Sequence, residues 1–296
     1  MDCTKNNGAC SSGGCATSGT SAESTKDSDN ELRERMGRIK HKILVLSGKG
    51  GVGKSTVAAN VACALSLKKF RTGLLDVDFH GPSIPTLLNL EGKSVYAAPG
   101  GLVPIDYNQY LKVMSLGFIL RNQDDAVIWR GPLKMQVMKQ LLEDVMWGDL
   151  DYLVMDFPPG TGDEPLSIAQ LIPDNDGAII VTTPQNLSLN DVRKSINFCH
   201  QVKVPVLGVI ENMSGFICPQ CQSVVDIFKK GGGETMAKRM GVPFLGRIPM
   251  TPLIVDASDD GRPFIESKEA GEVGSVFSRI VESLINRIDD VAKTKA

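Results

Sequence analysis

Charge of one sign is what this sequence has least of: 32 Lys and Arg stand against 34 Asp and Glu, a formal net charge of −2 over 296 residues. That balance excludes a global electrostatic draw to nucleic acid or to an anionic membrane, so any partner must be recognised locally. The chain also lacks a basic start followed by an apolar run, and it shows no membrane span, so neither a signal peptide nor an integral anchor is expected. A cytoplasmic protein is expected. It lacks an even set of cysteines: there are seven, which in a reducing compartment serve better as metal ligands, reactive thiols or core filler than as disulfides. Internal repeats are missing, and so is any Pro-rich linker after residue 40.

Residues 1 to about 30 have almost no large apolar side chain and cannot offset their own ordering entropy. A flexible Cys-containing tail is predicted over 1–37 and one domain over 38–296. From Lys42 onward, short apolar runs such as "KILVLS", "YLVMDF", "GAIIVTTP" and "VLGVIENM" alternate with stretches of helical spacing. Near-continuous Val, Ile and Leu within each run implies strands covered on both faces. The fold class is therefore α/β, a doubly wound, mostly parallel sheet with helices on both faces. The stretch from Ala97 to Asp125 fits this pattern least.

Directly after "KILVLS" comes "GKGGVGKST", that is Gly48, Lys49, Gly50, Gly51, Val52, Gly53, Lys54, Ser55 and Thr56. A helix is predicted behind it, with Val57, Val61, Ala64 and Leu65 at helical spacing. Strand, glycine loop and helix in that order make a phosphate-binding loop, in which backbone N–H groups and the helix amino terminus face the negative charge. Lys54 supplies a cation to the terminal phosphates and Ser55 a hydroxyl for Mg²⁺. Lys49 is not needed for the phosphates of its own subunit and is expected to look outward. Asp156 ends the strand "YLVMD", placed to hold Mg²⁺ through water, and the Pro158-Pro159-Gly160 that follows can bring a backbone N–H to a γ-phosphate.

The loop resembles that of the MinD, ParA and nitrogenase iron protein superfamily of ATPases. The resemblance implies that Lys49 crosses a dimer interface to the partner's nucleotide, that ATP favours the closed dimer, and that Asp78 in "LLDVDFHGPS" orients the attacking water. It also implies that Asn212, just past a strand end, reads the adenine edge, for which an amide has both donor and acceptor.

"LLDVDFHGPSIP", "VIWRGP", "MDFPPGTGDEPLS", "VIENMSGFICPQC" and "GGGETMAKRMGVPFLGRIPM" together resemble the Mrp (ApbC) family of iron–sulfur cluster carrier ATPases, over essentially all of residues 40 to 290. The pair Cys218 and Cys221 is open to several readings by spacing alone: half a zinc ribbon, a redox pair, or cluster ligands. Cys199 follows Val192 and Ile196 at helical spacing, and Cys63 lies in the helix behind the loop, so both are predicted core residues and no second pair remains in the domain. Two subunits facing each other about a two-fold axis would bring four thiolates together, a set that suits a [4Fe-4S] cluster. The family resemblance implies the same: a homodimer with a bridged cluster, released to apoproteins. One branch of that family carries four tail cysteines, whereas here there are three, Cys3, Cys10 and Cys15, so a tail cluster is not carried over.

His80 is expected to be a switch-loop residue rather than a ligand. The last helix lines up Phe277, Ile280, Val281, Leu284, Ile285 and Ile288 but mixes Arg with Glu and Asp on its polar side, so it is predicted to pack rather than bind a membrane. Two other functions stay open: a ParA- or MinD-like spatial regulator acting on DNA or membrane, and a zinc-stabilised nucleotide switch.

Overall fold

The computed structural model describes residues 31–79, 81–119, 131–218, 220–221, 223–267 and 271–295. Cys3, Cys10, Cys15 and His80 lie outside the described residues, as do most of "VIWRGP" and Pro219 and Gln222 of the cysteine loop. Residues 31–37 form a helix, α1. Composition puts them in the tail, but Leu32 and Met36, one turn apart on one face, are buried, and Arg35 donates to the Gly100 and Asp144 carbonyls. Residues 31–37 are therefore helical and packed on the domain that follows.

The order continues with β1 Ile39–Leu46, α2 Lys54–Leu67, β2 Thr72–Asp76, α3 Ile84–Leu87, the short pair β3 Ala97–Ala98 and β4 Gly101–Leu102, then β5 Ile105–Asn108 and β6 Leu111–Ser115. After them come α4 Gly131–Asp144, β7 Leu150–Asp156, α5 Asp163–Leu171, β8 Gly177–Thr182, α6 Asn186–Gln201 and β9 Val206–Glu211. The chain ends with the hairpin β10 Phe216–Ile217 and β11 Val224–Val225, then α7 Gly232–Met240, β12 Phe244–Arg247, α8 Pro252–Asp259 and α9 Gly271–Lys295.

Eight strands form one sheet in the order β12-β9-β8-β1-β7-β2-β6-β5. Its pairings are parallel except that of β5 with β6. The irregular stretch after Ala97 thus resolves into a small hairpin and an antiparallel edge strand. Strands β2, β8 and β9 are buried at every residue, which requires cover on both faces and explains their unbroken apolar sequences. Helix α2 is buried almost all round because its side chains are small, and α9 packs on it and on β9 and β12. Phe277, Ile280, Val281, Leu284 and Ile288 of α9 are all in the core, as the pattern predicts. No helix among the described residues is long and apolar enough to cross a membrane.

Parallel pairing brings the carboxyl ends of the strands to one edge. Register does the rest: Val45 of β1 faces Asp156 of β7, Asp156 faces Asp76 of β2, Asp76 faces Ser115 of β6, and on the other side Thr182 of β8 faces Glu211 of β9. Polar residues spaced far apart in the chain therefore meet along this edge, the usual ligand-binding crevice of an open α/β sheet.

Candidate nucleotide site and cysteine hairpin

The loop from Gly48 to Gly53 joins β1 to α2, and no side chain caps α2, so its first amides are left facing the loop. Two glycines are dictated by space. A Cβ on Gly48 would come 2.5 Å from the Asp191 Cβ. At Gly53 φ is +80°, and a Cβ there would come 2.2 Å from the Asn212 amide nitrogen. A cavity of about 260 Å³ lies over the loop, bounded also by Asp78, Ser83 and Pro159. A larger one, about 570 Å³, sits at the opposite end of the strands beside Arg35 and Trp147, away from these groups.

Lys54 is 6% exposed and organises the site. Its ammonium lies 2.5 Å from Asp156 Oδ1 and 3.7 Å from Asp78 Oδ2, and donates to the Ser55 hydroxyl at 3.2 Å. Burial pushes the Asp156 carboxyl up, opposed by the charge of Lys54 beside it. Asp156 Oδ2 is buried with no hydrogen-bond partner among the described residues. Asp76 is fully buried too: it accepts from the Asp78 amide at 3.1 Å, the Ser115 hydroxyl at 3.0 Å and the Ile84 amide at 3.3 Å. Burial, and then the nearby charge of Asp156, push its carboxyl up to about 8. Asp156 and Asp78 thus share one lysine, with the Asp76 carboxyl behind them, an arrangement that a polyphosphate and a divalent cation can redistribute.

The remaining predicted residues fall around this centre. Gly160, at φ +98°, donates its amide to the Ser47 carbonyl at 2.8 Å, pinning the loop after β7 beside the phosphate loop. Lys49 is partly exposed, and its ammonium has no partner among the described residues. Asn212 donates its amide to the Val52 carbonyl at 2.9 Å, so its side chain already touches the phosphate loop. Asp76 and Glu211 are the members of this edge that sequence reasoning left without a role. Each is an acid at the end of an apolar strand, which was the available signal.

Cys218 and Cys221 lie in the turn of the β10–β11 hairpin. The Cys218 amide donates to the Ser223 carbonyl at 3.0 Å, and the Ser223 hydroxyl is 2.9 Å from the Cys221 sulfur. That hydroxyl, then the Ser223 amide and the Cys218 thiol, pull the Cys221 thiol down to about 7. Cys221 is exposed, and Val224, Val225 and Ile227 beside it are at least half exposed. The hairpin is tied down by the Ile217 amide on the Met250 carbonyl and the Met250 amide on the Gly215 carbonyl. Among the described residues no third His, Cys, Asp or Glu joins the two thiols. Cys63 and Cys199 are fully buried, and burial raises both thiols, as expected of core residues.

Several known proteins are similar to this chain. An iron–sulfur cluster carrier protein from Methanocaldococcus jannaschii is 52% identical over 86% of this chain and 89% of its own length. A cytosolic Fe-S cluster assembly factor, CFD1, from Kluyveromyces lactis is 49% identical over 86% of this chain and 94% of its own. Among solved structures, a nucleotide-binding protein from Archaeoglobus fulgidus in complex with ADP superposes with a TM-score of 0.71 at 40% identity, covering 79% of this chain and 92% of that one. The cell division ATPase MinD of Pyrococcus furiosus shares the fold, with a TM-score of 0.61 at 20% identity over 83% of this chain and 98% of its own. Residues 38–285 match the family described as "ParA: NUBPL iron-transfer P-loop NTPase". With the phosphate loop, the sheet order and these likenesses in agreement, the chain belongs to the ParA family of NUBPL-type iron-transfer P-loop NTPases.

Proposed function

We propose that this chain is a cytoplasmic ATPase of the Mrp (ApbC) branch that carries a [4Fe-4S] cluster between two identical subunits and passes it to apoproteins. The observation that carries this reading is the solvent-facing Cys218–Cys221 turn, fixed to the same end of the sheet as the phosphate loop. Two thiols are half of a cluster's ligand set, and a two-fold axis beside the hairpin supplies the rest. The cluster is cargo, so an exposed site at an interface suits it better than a closed core site. The exposed Val224, Val225 and Ile227 give that interface an apolar rim.

In the nucleotide half, ATP takes the loop cavity. Its phosphates accept from the backbone N–H groups between Gly48 and Thr56, and Lys54 turns from Asp156 toward the terminal phosphates. Mg²⁺ fits the residues present: the orphaned Asp156 Oδ2 and the Ser55 hydroxyl are hard oxygen donors that both adjoin Lys54. When bound, it would neutralise phosphate charge. Asp78 is the acceptor that orients water, the Gly160 amide exchanges the Ser47 carbonyl for the γ-phosphate, and Asn212 exchanges the Val52 carbonyl for the adenine edge. Lys49, partly exposed and unpaired, reaches the nucleotide of the other subunit.

Anaerobic reconstitution with iron and sulfide tests the proposal. Wild type should hold about four iron and four sulfide per dimer, and the Cys218→Ala/Cys221→Ala variant none. Tightly held zinc and no cluster in wild type would replace this reading with a metal-stabilised nucleotide switch.

A further inference from the structure

Glu211 ends β9, immediately before Asn212, and is 0% exposed. A carboxylate so placed must be saturated with donors. It is: Oε1 accepts from the Ser214 hydroxyl at 2.5 Å and the Gly231 amide at 2.8 Å, and Oε2 from the Gly233 amide at 2.5 Å. Arg247 Nε stands 3.6 Å from Oε1, and the same guanidinium also bonds Glu234 on α7.

These donors occupy particular places in the chain. Ser214 opens the excursion that carries Cys218 and Cys221. Gly231 and Gly233 close it, at an α7 amino terminus that no local side chain caps. One carboxylate therefore ties together both ends of the cysteine excursion. Its neighbour Asn212 is bonded through its backbone amide to Thr182 and through its side chain to Val52 of the phosphate loop. Between these two ties, Met213 holds a left-handed φ of 56°, so the chain turns sharply where the two functions meet.

We propose that Glu211 is a positioning residue that makes the cysteine hairpin and the nucleotide-sensing end of β9 move as one piece, so that nucleotide occupancy changes how firmly the two thiols hold their cargo. This rests on the nucleotide and cluster assignments made above. Coupling needs an element with two arrangements that both sites bias. Asn212 provides them on that assignment, since its amide either stays on Val52 or turns to the base, and Glu211 would carry that displacement to Ser214 and Gly231.

The test compares full-length wild type, Glu211→Gln and Ser214→Ala with and without a non-hydrolysable ATP analogue and Mg²⁺. One readout is hydrogen exchange of residues 215–230 in cluster-free protein, and the other is iron loss from reconstituted dimer to a chelator. In wild type, the analogue should alter exchange in the hairpin and change the iron-loss rate by at least about fivefold, the lower end of ordinary coupling. In Glu211→Gln, analogue affinity should be kept while both responses fall below about twofold. Ser214→Ala, a milder change that spares the helix cap, should show an intermediate response with a smaller loss of melting temperature than Glu211→Gln.

A purely structural Glu211 would lower melting temperature and iron content in the variant yet keep the nucleotide response, and that result overturns the proposal. So does a wild type that binds both nucleotide and cluster without coupling them. Wild type that takes up no cluster brings down the reading beneath, and this inference with it.

Discussion

Replacing Asp76 with Asn should make the protein somewhat more stable than wild type at pH 5 and clearly more so at pH 7. Asp76 is fully buried, faces Asp156 across the β2–β7 pair, and has its carboxyl pushed up to about 8 by burial and by that neighbour. In the unfolded chain an Asp releases its proton near its ordinary pKa of about 3.9. Between those values the native state binds more protons than the unfolded state, so its stability falls as pH rises. The slope approaches about 1.4 kcal/mol per pH unit, which integrates to about 2–3 kcal/mol between pH 5 and 7. Asn cannot titrate, and its amide resembles the protonated acid in what it offers Ser115, Ile84 and Asp78. The stability of Asp76→Asn minus that of wild type should therefore climb by about 2–3 kcal/mol across that range, while groups common to both chains cancel. Urea unfolding of nucleotide-free, reduced protein at pH 5, 6 and 7 measures it. A difference that stays flat, or that falls with pH, would refute the claim that Asp76 sits protonated beside Lys54.

The other expectations concern backbone, surface and catalysis. Gly53→Ala forces a Cβ into the Asn212 amide at a positive φ, so it should cost about 1–3 kcal/mol in urea unfolding and lower nucleotide affinity in calorimetry. Burial would push the Asp151 carboxyl up, but the hydrogen bonds from Arg71 and Lys40 outweigh it and hold the group well below the usual range. Asp151→Asn should therefore cost about 1 kcal/mol at pH 7, with the difference from wild type fading as pH falls below about 4, where the unfolded carboxyl protonates. Lys54→Ala should abolish ATP binding or hydrolysis, whereas Lys49→Ala should bind ATP normally and turn it over slowly. Unchanged turnover in Lys49→Ala would remove the cross-subunit role.

Much of this was legible in the chain because its signals are local. A strand covered on both faces reads as an unbroken apolar run, as in "VLGVIE", whatever it pairs with. The phosphate loop is contiguous, so its glycines and Lys54 can be assigned before any fold is known. Cys63 and Cys199 betray their burial through helical spacing, and α9 does so through its apolar face. Where the reading fell short, the cause lay outside the segment. Leu32 and Met36 are too few to mark a helix in a polar stretch, and only the surface beneath them makes α1 worth ordering. The antiparallel β5 at the sheet edge gave no run long enough to recognise.

By itself, then, the sequence determined the strand and helix alternation, the nucleotide loop and the presence of two thiols in one turn, because each depends on residues within a few positions of one another. Tertiary structure alone decided that Asp78 and Asp156 share a single lysine, that the Asn212 side chain leans on Val52, and that Glu211 joins the start of the cysteine excursion to its end. These are consequences of strand order and register. Parallel pairing sets side by side residues that lie scores of positions apart in the chain, and no local spacing records that meeting.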